Sequence, residues 1–298
     1  MTNRTHWSDQ LERPLALVFG GGASLGAIQV GMLRAVMEQG IRPDFMVGTS
    51  VGALNAGLMA QDFSIAQLER LETIWRGVRQ SDVFPGVNWL SLARMAVGNR
   101  RHLASNKGLR SLADTHLSPT HAELQIPTTV VGSDVLTGEK VMFSEGNLRE
   151  HVVISSSIPI IFEPVEYDGR TLVDGGVVSN VPVLPARKLG AESMIVLDPG
   201  YPCALTEVPK DLLGFSLHLI ITMMRHQSYG VLHFLAQDSQ IVYVPPPCPL
   251  DVAPHDFSRT EELLATAHRS SLDFLEPLEL DGPGVYGHPH FHDRPLLI

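Results

Sequence analysis

Cysteine is scarce in this chain, and positive charge is outnumbered by negative charge. Two cysteines, Cys203 and Cys248, cannot build a disulfide framework in 298 residues, so a reducing compartment such as the cytoplasm fits. The chain has 22 Lys and Arg against 32 Asp and Glu, which gives a formal net charge of -10. An acidic chain has no general attraction to nucleic acid or to anionic lipid. We therefore expect no nucleic-acid partner.

Long apolar runs are also missing. The longest mostly apolar stretch, residues 215–224, is interrupted by three polar side chains and is far shorter than the roughly 20 residues that a spanning helix needs. Residues 1–14 are polar and contain no apolar core typical of a signal peptide. The sequence therefore predicts a cytoplasmic protein, with membrane contact restricted to the surface.

The apolar residues follow the pattern typical of an α/β protein. A continuous apolar run at 15–19 predicts a buried strand, and apolar residues spaced three and four apart predict a helix after it. A second strand and helix follow, as in a parallel sheet with right-handed crossovers. We predict one domain over 15–275 with a helical insertion at 62–117, between tails at 1–14 and 276–298.

Residues 45–56 organise the rest of the chain. The apolar Phe45-Met46-Val47 predicts a short strand, and Gly48-Thr-Ser-Val-Gly52 follows it directly. This is the G-x-S-x-G nucleophile elbow in its required setting of strand, sharp turn and helix. The free N–H groups at the start of the helix after Ser50 can stabilise negative charge on a reacting oxygen. A glycine-rich turn with an incidental serine is the alternative interpretation.

The glycine loop at 20–26 follows the first strand and admits two other interpretations. A dinucleotide site would need an acidic residue at the end of the second strand, which instead ends in Gly48-Thr49-Ser50. A P-loop would need Gly-Lys-Ser/Thr, which the loop lacks. Successive N–H groups beside a serine nucleophile are suited to an oxyanion hole.

A serine nucleophile needs a base, and none of the 13 histidines lies in a convincing loop context. Only one clear strand precedes the elbow, which argues against the ordinary α/β-hydrolase fold. Asp174-Gly175-Gly176 follows a predicted hairpin, where a carboxylate can project without crowding. Taken alone, this tripeptide is more typical of a structural turn.

The three motifs together, in this order, resemble the patatin-like phospholipase family. The resemblance covers about residues 15–197 and extends to Asn180 and Pro182. It implies a three-layer α/β/α sandwich with a mostly parallel central sheet, in which the helical insertion acts as a lid. It also implies a Ser–Asp dyad without histidine, with Ser50 as nucleophile and Asp174 as base. No metal or other cofactor is expected.

The resemblance assigns further roles to glycines. The oxyanion donors would be Gly20, Gly21 and Gly22. The elbow and its supporting turns would be formed by Gly48, Gly52, Gly26, Gly175 and Gly176. One departure from the family is Ser24-Leu25, which stands where the glycine loop usually carries an Arg or Lys and is one residue longer. The loop therefore brings no positive charge to the oxyanion region, whereas its backbone donors are retained.

The expected function is that of a lipid acyl hydrolase of the phospholipase A or lysophospholipase type, acting through an acyl-enzyme. Its partner would be a lipid or other fatty-acyl ester. Alternatives that keep the site are a thioesterase or an acyltransferase, and a catalytically silent lipid-binding protein is an alternative from another class.

Residues 76–110 carry seven Lys and Arg against the single acid Asp82. Trp75, Phe84 and Trp89 lie among these charges, and aromatic rings favour the membrane–water interface. We hypothesise that this stretch contacts anionic headgroups. The alternative is a solvated cover whose basic face pairs with acids elsewhere. His288-x-His290-x-His292 has alternating spacing, but its place in a Pro-rich tail argues against a metal site.

Overall fold

Nine strands pair into one mixed sheet in the computed structural model, which describes residues 6–84 and 102–289. The sheet order is β5-β6-β3-β2-β1-β7-β8-β9, and β4 pairs with β3 off this path. The pairs β1–β2, β1–β7, β2–β3, β7–β8 and β8–β9 are parallel. The strands are β1 (Leu15–Phe19), β2 (Phe45–Thr49), β3 (Thr128–Asp134), β4 (Lys140–Phe143), β5 (Val165–Tyr167), β6 (Arg170–Asp174), β7 (Ser193–Leu197), β8 (Gln240–Val244) and β9 (Gly284–Gly287).

Helices cover both faces of the sheet. They are α1 (Gly26–Glu38), α2 (Val51–Gln61), α3 (Ile65–Gly77), α4 (Gln80–Val83), α5 (Lys107–His116), α6 (Leu148–Ser155), α7 (Gly176–Ser179), α8 (Val183–Lys188), α9 (Leu212–Leu235) and α10 (Thr260–Leu275). No helix among the described residues is both long and apolar enough to span a membrane.

Side chains of the central strands alternate between two hydrophobic cores. In β1, Leu15, Leu17 and Phe19 belong to one core, with α1, α2 and α10, whereas Ala16 and Val18 belong to the other, with α8 and the end of α9. All five β1 residues are buried, as expected of a strand covered on both faces. The expected α/β/α sandwich with a mostly parallel sheet is confirmed.

Strand β3 brings the ends of two other strands together. Its β2 pairing ends with Thr49 opposite Val131. Strand β6 runs antiparallel to β3, and its last residue, Asp174, lies opposite Gly132. Strand β4 occupies one edge of β3 along Val130–Ser133. Strands β2 and β6 pair with β3 residues that overlap this range, so both must lie along the other edge of β3. The residues that follow β2 and end β6 therefore meet.

The chain outside 15–275 departs from the expected tails. Trp7 begins a 3-10 helix and is 2% exposed in the main core, so residues 6–14 pack against the domain. Strand β9 forms within the predicted C-terminal tail and pairs in parallel with β8. Both expectations were wrong. The first segment is polar and the second is rich in proline, and neither composition indicates the long-range contacts that Trp7 and β9 make. The insertion is helical where it is described, in α3, α4 and α5, and residues 85–101 lie outside the described residues.

Candidate active site

Ser50 lies at the sharp turn between β2 and α2. Its φ of 56° and ψ of -129° are rare for a residue with a side chain, at a cost of roughly 1–3 kcal/mol. The Ser50 N–H donates to Ser155 Oγ at 2.8 Å, which holds the turn in place. A Cβ on Gly52 would lie 2.4 Å from the Phe19 carbonyl oxygen, so only glycine fits there. The predicted elbow geometry is present.

Asp174 ends β6 beside Ser50, and its carboxyl group is buried. Oδ1 accepts a hydrogen bond from Gly176 N–H at 2.7 Å. Oδ2 completes no hydrogen bond with a described residue, although the Ser50 side chain is near enough to lower the carboxyl pKa. Burial has the larger and opposite effect, and the pKa of Asp174 is raised to about 7. The Ser50 side chain and the Asp174 carboxyl group are therefore neighbours.

A cradle of buried serines fixes both candidate residues. Ser155 Oγ donates to the Val131 carbonyl at 2.6 Å while it accepts from Ser50 N–H. Asp174 N–H donates to the Ser157 carbonyl at 2.9 Å, and Ser133 Oγ donates to the Asp174 carbonyl at 2.8 Å. Sequence reasoning missed Ser133, Ser155 and Ser157. The run of three serines before Pro159 is the signal that could have revealed part of this cradle.

The glycine loop requires a correction to the expected oxyanion donors. Gly20 N–H donates to the Leu197 carbonyl at 3.1 Å, and Gly21 N–H donates to the Asn180 carbonyl at 3.0 Å. These two amides are thus committed to the fold, and their assignment as donors to the site was wrong. The physical reason is that β7 and the segment after α7 use them to anchor the loop.

The next two amides of the loop remain available. No described residue accepts a hydrogen bond from the N–H of Gly22 or of Ala23. The Gly21 carbonyl accepts from Asn180 Nδ2 at 3.3 Å, and the Gly22 carbonyl accepts from Leu25 N–H at 3.1 Å. In a trans peptide the N–H points opposite to the C=O. The bonded Gly21 carbonyl therefore directs the Gly22 N–H away from Asn180, and the bonded Gly22 carbonyl directs the Ala23 N–H away from Leu25.

Ser24 and Leu25 bring no charge to the site. Both side chains are buried. Ser24 N–H donates to the Pro254 carbonyl at 3.0 Å, and Ser24 Oγ donates to the Ala253 carbonyl at 3.2 Å. This position, where the family usually has Arg or Lys, therefore ties the glycine loop to the segment before α10.

The other predicted glycines pack closely around the two turns. A Cβ on Gly48 would lie 2.6 Å from Ala53 Cα, and one on Gly26 would lie 2.4 Å from Val51 Cγ2. A Cβ on Gly175 would lie 2.1 Å from the Val131 carbonyl oxygen, and one on Gly176 would lie 2.8 Å from Met224 Sδ. The close approach of the strand ends depends on this lack of side chains.

An apolar cavity opens beside Ser50. It is a narrow cavity of about 70 Å³. Its walls come from α2, from the insertion and from three loops. The apolar lining residues are Ala23, Val51, Leu54, Leu58, Ile74, Trp75, Val78, Val83, Phe84, Leu109, Leu112, Ile158, Phe162 and Phe257. Side chains of the insertion thus line the cavity beside Ser50.

Two of the basic residues expected at a membrane already have acidic partners. Arg76 pairs with Glu261 at 2.5 Å and Arg110 pairs with Glu150. Arg94, Arg100, Arg101 and Trp89 lie outside the described residues. As for metals, no three His, Cys, Asp or Glu side chains cluster in the described part of the chain, which includes His288 but not His290 or His292.

Comparison with known proteins agrees with the motifs. A family model described as patatin-like phospholipase matches residues 17–187, which is more than half of the chain. The chain belongs to this family. The matched segment runs from β1 to α8 and includes the glycine loop, the elbow and Asp174.

Curated relatives of this patatin-like chain are much longer proteins. A patatin-like phospholipase domain-containing protein, ZK370.4, from Caenorhabditis elegans is 31% identical over 192 residues, or 62% of this chain and 14% of the relative. Lysophospholipase NTE1 from Candida glabrata is 26% identical over 301 residues, or 91% of this chain and 16% of the relative. The chain therefore spans less than a fifth of each. Among solved structures, VipD from Legionella pneumophila has a TM-score of 0.46 at 14% identity, over 89% of this chain and 66% of that one.

Proposed function

We propose that this chain is a lipid acyl hydrolase that cleaves carboxylic esters with Ser50 and Asp174. The observation that carries the proposal is the meeting of the two residues at the shared edge of β3, with Asp174 Oδ2 unpaired and Ser50 on an apolar cavity. The family membership and a relative named lysophospholipase support the same reaction class.

In the first step, Ser50 Oγ attacks the ester carbonyl carbon while its proton passes to Asp174 Oδ2. The tetrahedral oxyanion accepts hydrogen bonds from the N–H groups of Gly22 and Ala23, assisted by the N-terminus of α2. Collapse breaks the ester C–O bond, and the leaving alkoxide takes the proton from Asp174. The products are the free alcohol and an acyl-Ser50 ester.

In the second step, water attacks the acyl carbonyl and gives its proton to Asp174. The new tetrahedral species collapses, the C–O bond to Ser50 breaks, and Ser50 Oγ takes the proton from Asp174. A carboxylate with an ordinary pKa would be a weak base for these transfers at neutral pH. The raised pKa of Asp174, about 7, makes it a better matched base.

The cavity favours an acyl chain as the group that binds next to Ser50. Its lining includes Leu54, Ile74 and Phe162, and no Lys or Arg is found among the described residues that line it. Each methylene buried there contributes roughly 0.8 kcal/mol, or about fourfold in kcat/KM until the cavity is full. A thioester could use the same site, because the acyl chain and oxyanion are unchanged. The test must therefore vary the leaving group as well as the chain.

The experiment is hydrolysis of lysophospholipids, diacyl phospholipids, acyl-CoA thioesters and simple esters from four to ten carbons, with fatty acid release measured by mass spectrometry. We expect oxyesters to be cleaved and kcat/KM to rise with chain length. The variant Leu54→Trp, which fills the cavity, should lose the long-chain preference. The control Leu189→Trp adds the same bulk at an exposed position and should keep it. No hydrolysis of any oxyester would contradict the proposal.

Docking of residues 76–110 on anionic lipid is a separate proposal. The ion pairs of Arg76 and Arg110 support the alternative, a cover whose basic face is paired within the protein. Co-sedimentation with neutral and anionic vesicles at low and high salt tests it. Salt-sensitive binding to anionic vesicles that is lost in an Arg94→Ala, Arg100→Ala, Arg101→Ala triple variant would favour docking. Equal binding to both vesicle types would contradict it.

A further inference from the structure

A chain of buried hydrogen bonds links the wall of the cavity to the glycine loop. Trp75 Nε1 donates to Asn55 Oδ1 at 2.9 Å, and Asn55 Nδ2 donates to Gln29 Oε1 at 2.9 Å. Gln29 Nε2 donates to the Gly20 carbonyl at 2.7 Å and to the Leu197 carbonyl at 2.8 Å. The three side chains come from α3, α2 and α1, so the network connects three helices of the layer that packs on this face of the sheet.

Every polar hydrogen in this network has an acceptor. Gln29 and Asn55 are completely buried, and Trp75 is 4% exposed. The second hydrogen of Asn55 Nδ2 is taken by the Gly26 carbonyl at 3.0 Å. A fully satisfied buried network is rigid and fixes its members in one arrangement. The Gly20 carbonyl is therefore held by a side chain of α1, from outside the glycine loop.

The peptide between Gly20 and Gly21 is clamped at both ends. Gln29 holds its carbonyl, and the Asn180 carbonyl accepts its N–H. This peptide comes directly before the two whose amides, Gly22 N–H and Ala23 N–H, have no acceptor among the described residues. Because successive peptide planes turn only about φ and ψ, fixing the first restricts the directions of the next two.

We propose that Gln29 and Asn55 are positioning residues for the oxyanion hole, and that Trp75 couples them to the acyl cavity. This inference rests on the proposed hydrolase function. Neither amide side chain touches the reacting atoms, so both act through the Gly20 carbonyl. Trp75 lines the cavity with its ring while its N–H anchors Asn55, and its ring also stacks on Phe257 with centroids 6.3 Å apart.

The test compares Gln29→Met with Gln67→Met. Methionine keeps the approximate length of glutamine but cannot donate. Gln67 is also buried, and its Nε2 also donates to a backbone carbonyl, that of Leu58 at 2.7 Å, but it has no contact with the glycine loop. Both variants lose a buried hydrogen bond, so both should be less stable. Only Gln29→Met should change the chemistry.

Kinetics on an ester that the wild type hydrolyses separate positioning from stability. For Gln29→Met we expect kcat to fall by about 10- to 100-fold with KM nearly unchanged, because small misplacements of reacting groups have effects of this size. Affinity for a trifluoromethyl ketone, which forms a tetrahedral adduct, should fall in parallel, whereas affinity for an unreactive fatty alcohol should not. Trp75→Phe, which keeps a ring and removes the N–H, should show a smaller change in the same direction.

Hydrogen exchange gives a readout that does not depend on turnover. Peptides covering residues 19–26 should exchange faster in Gln29→Met than in wild type and Gln67→Met. An unchanged kcat and ketone affinity in a folded Gln29→Met protein would overturn the positioning role and leave the hydrolase function standing. Equal kinetic losses in Gln67→Met would also overturn it. If the wild type hydrolyses no oxyester, the function and the positioning role both fail.

Discussion

Two buried titratable sites in this protein, Asp174 and the pair His121–His151, differ in how their polar atoms are used. Burial acts on both in the same sense, towards the neutral form. It raises the pKa of Asp174 to about 7 and, with a smaller contribution from the neighbouring His121, lowers the pKa of His151 to about 4. A shifted pKa alone would therefore mark both as candidate acid–base groups.

The ring nitrogens of His121 and His151 are all engaged in hydrogen bonds. His121 Nδ1 contacts the Thr128 carbonyl at 2.9 Å, so it must carry the proton, and His121 Nε2 accepts from His151 Nδ1 at 3.0 Å. His151 Nε2 then accepts from the Tyr167 hydroxyl at 3.0 Å. All four ring nitrogens have partners, whereas Asp174 keeps Oδ2 unpaired beside Ser50. Burial thus shifts the pKa at both sites, but only Asp174 keeps a side-chain oxygen free of hydrogen bonds beside the proposed nucleophile.

The largest expected effect is that of Ser50→Ala, which removes the proposed nucleophile. We expect loss of ester hydrolysis to background, with the free energy of unfolding changed by less than about 1 kcal/mol because the side chain is small. Hydrolysis and urea unfolding are measured on the same preparation. Ser270→Ala, on α10, serves as the control. Turnover by folded Ser50→Ala above the background of mock-purified material would remove Ser50 from the mechanism.

Asp174→Asn should lower kcat by roughly 10²–10⁴-fold, the usual contribution of a general base. The substitution preserves shape and leaves the oxyanion donors in place, so some hydrolysis should persist. His151→Phe should leave kcat within about threefold of wild type. If a histidine substitution lowers kcat as much as Asp174→Asn in a folded protein, the base lies in a triad and the comparison between the two sites is wrong.

The same two substitutions should change stability with opposite dependence on pH. The folded-state pKa of Asp174 is raised, so the folded protein holds this proton between about pH 4 and 7 and wild-type stability declines as pH rises through that window. Asp174→Asn removes the buried charge. We expect it to be more stable than wild type by roughly 1–3 kcal/mol at pH 8, with the gain vanishing near pH 4. Urea unfolding at both pH values measures this, and a variant less stable at pH 8 would contradict it.

The smallest expected effect concerns the histidine pair. The folded-state pKa of His151 is lowered, so its contribution to stability is full above about pH 6.5 and is lost as pH falls towards 4. His151→Phe should weaken this dependence while costing roughly 1–3 kcal/mol at neutral pH, because Tyr167 and His121 lose a partner. The exposed His233 on α9 provides the control His233→Phe. An unchanged pH dependence in His151→Phe would show that the pair is not buried neutral.

The sequence was informative where function depends on neighbours along the chain. The elbow around Ser50 and the hairpin before Asp174 could be predicted because turn, strand and helix signals are local. The free amides of Gly22 and Ala23 could not be predicted, because Gly20 and Gly21 are committed to partners at positions 197 and 180. The buried roles of Trp7 and β9 were missed for the same reason. Contacts between residues far apart in the sequence decide which polar atoms already have hydrogen-bond partners.

In the proposed mechanism Asp174 activates Ser50, and no histidine takes part. Labelling with a fluorophosphonate, followed by peptide mapping and rate measurement from pH 5 to 9, tests this most directly. We predict one label on Ser50, with a rate that is half-maximal near pH 7, falls steeply in Asp174→Asn and is unchanged in His151→Phe. A label on another residue, or a labelling rate in Asp174→Asn equal to that of wild type, would contradict the claim.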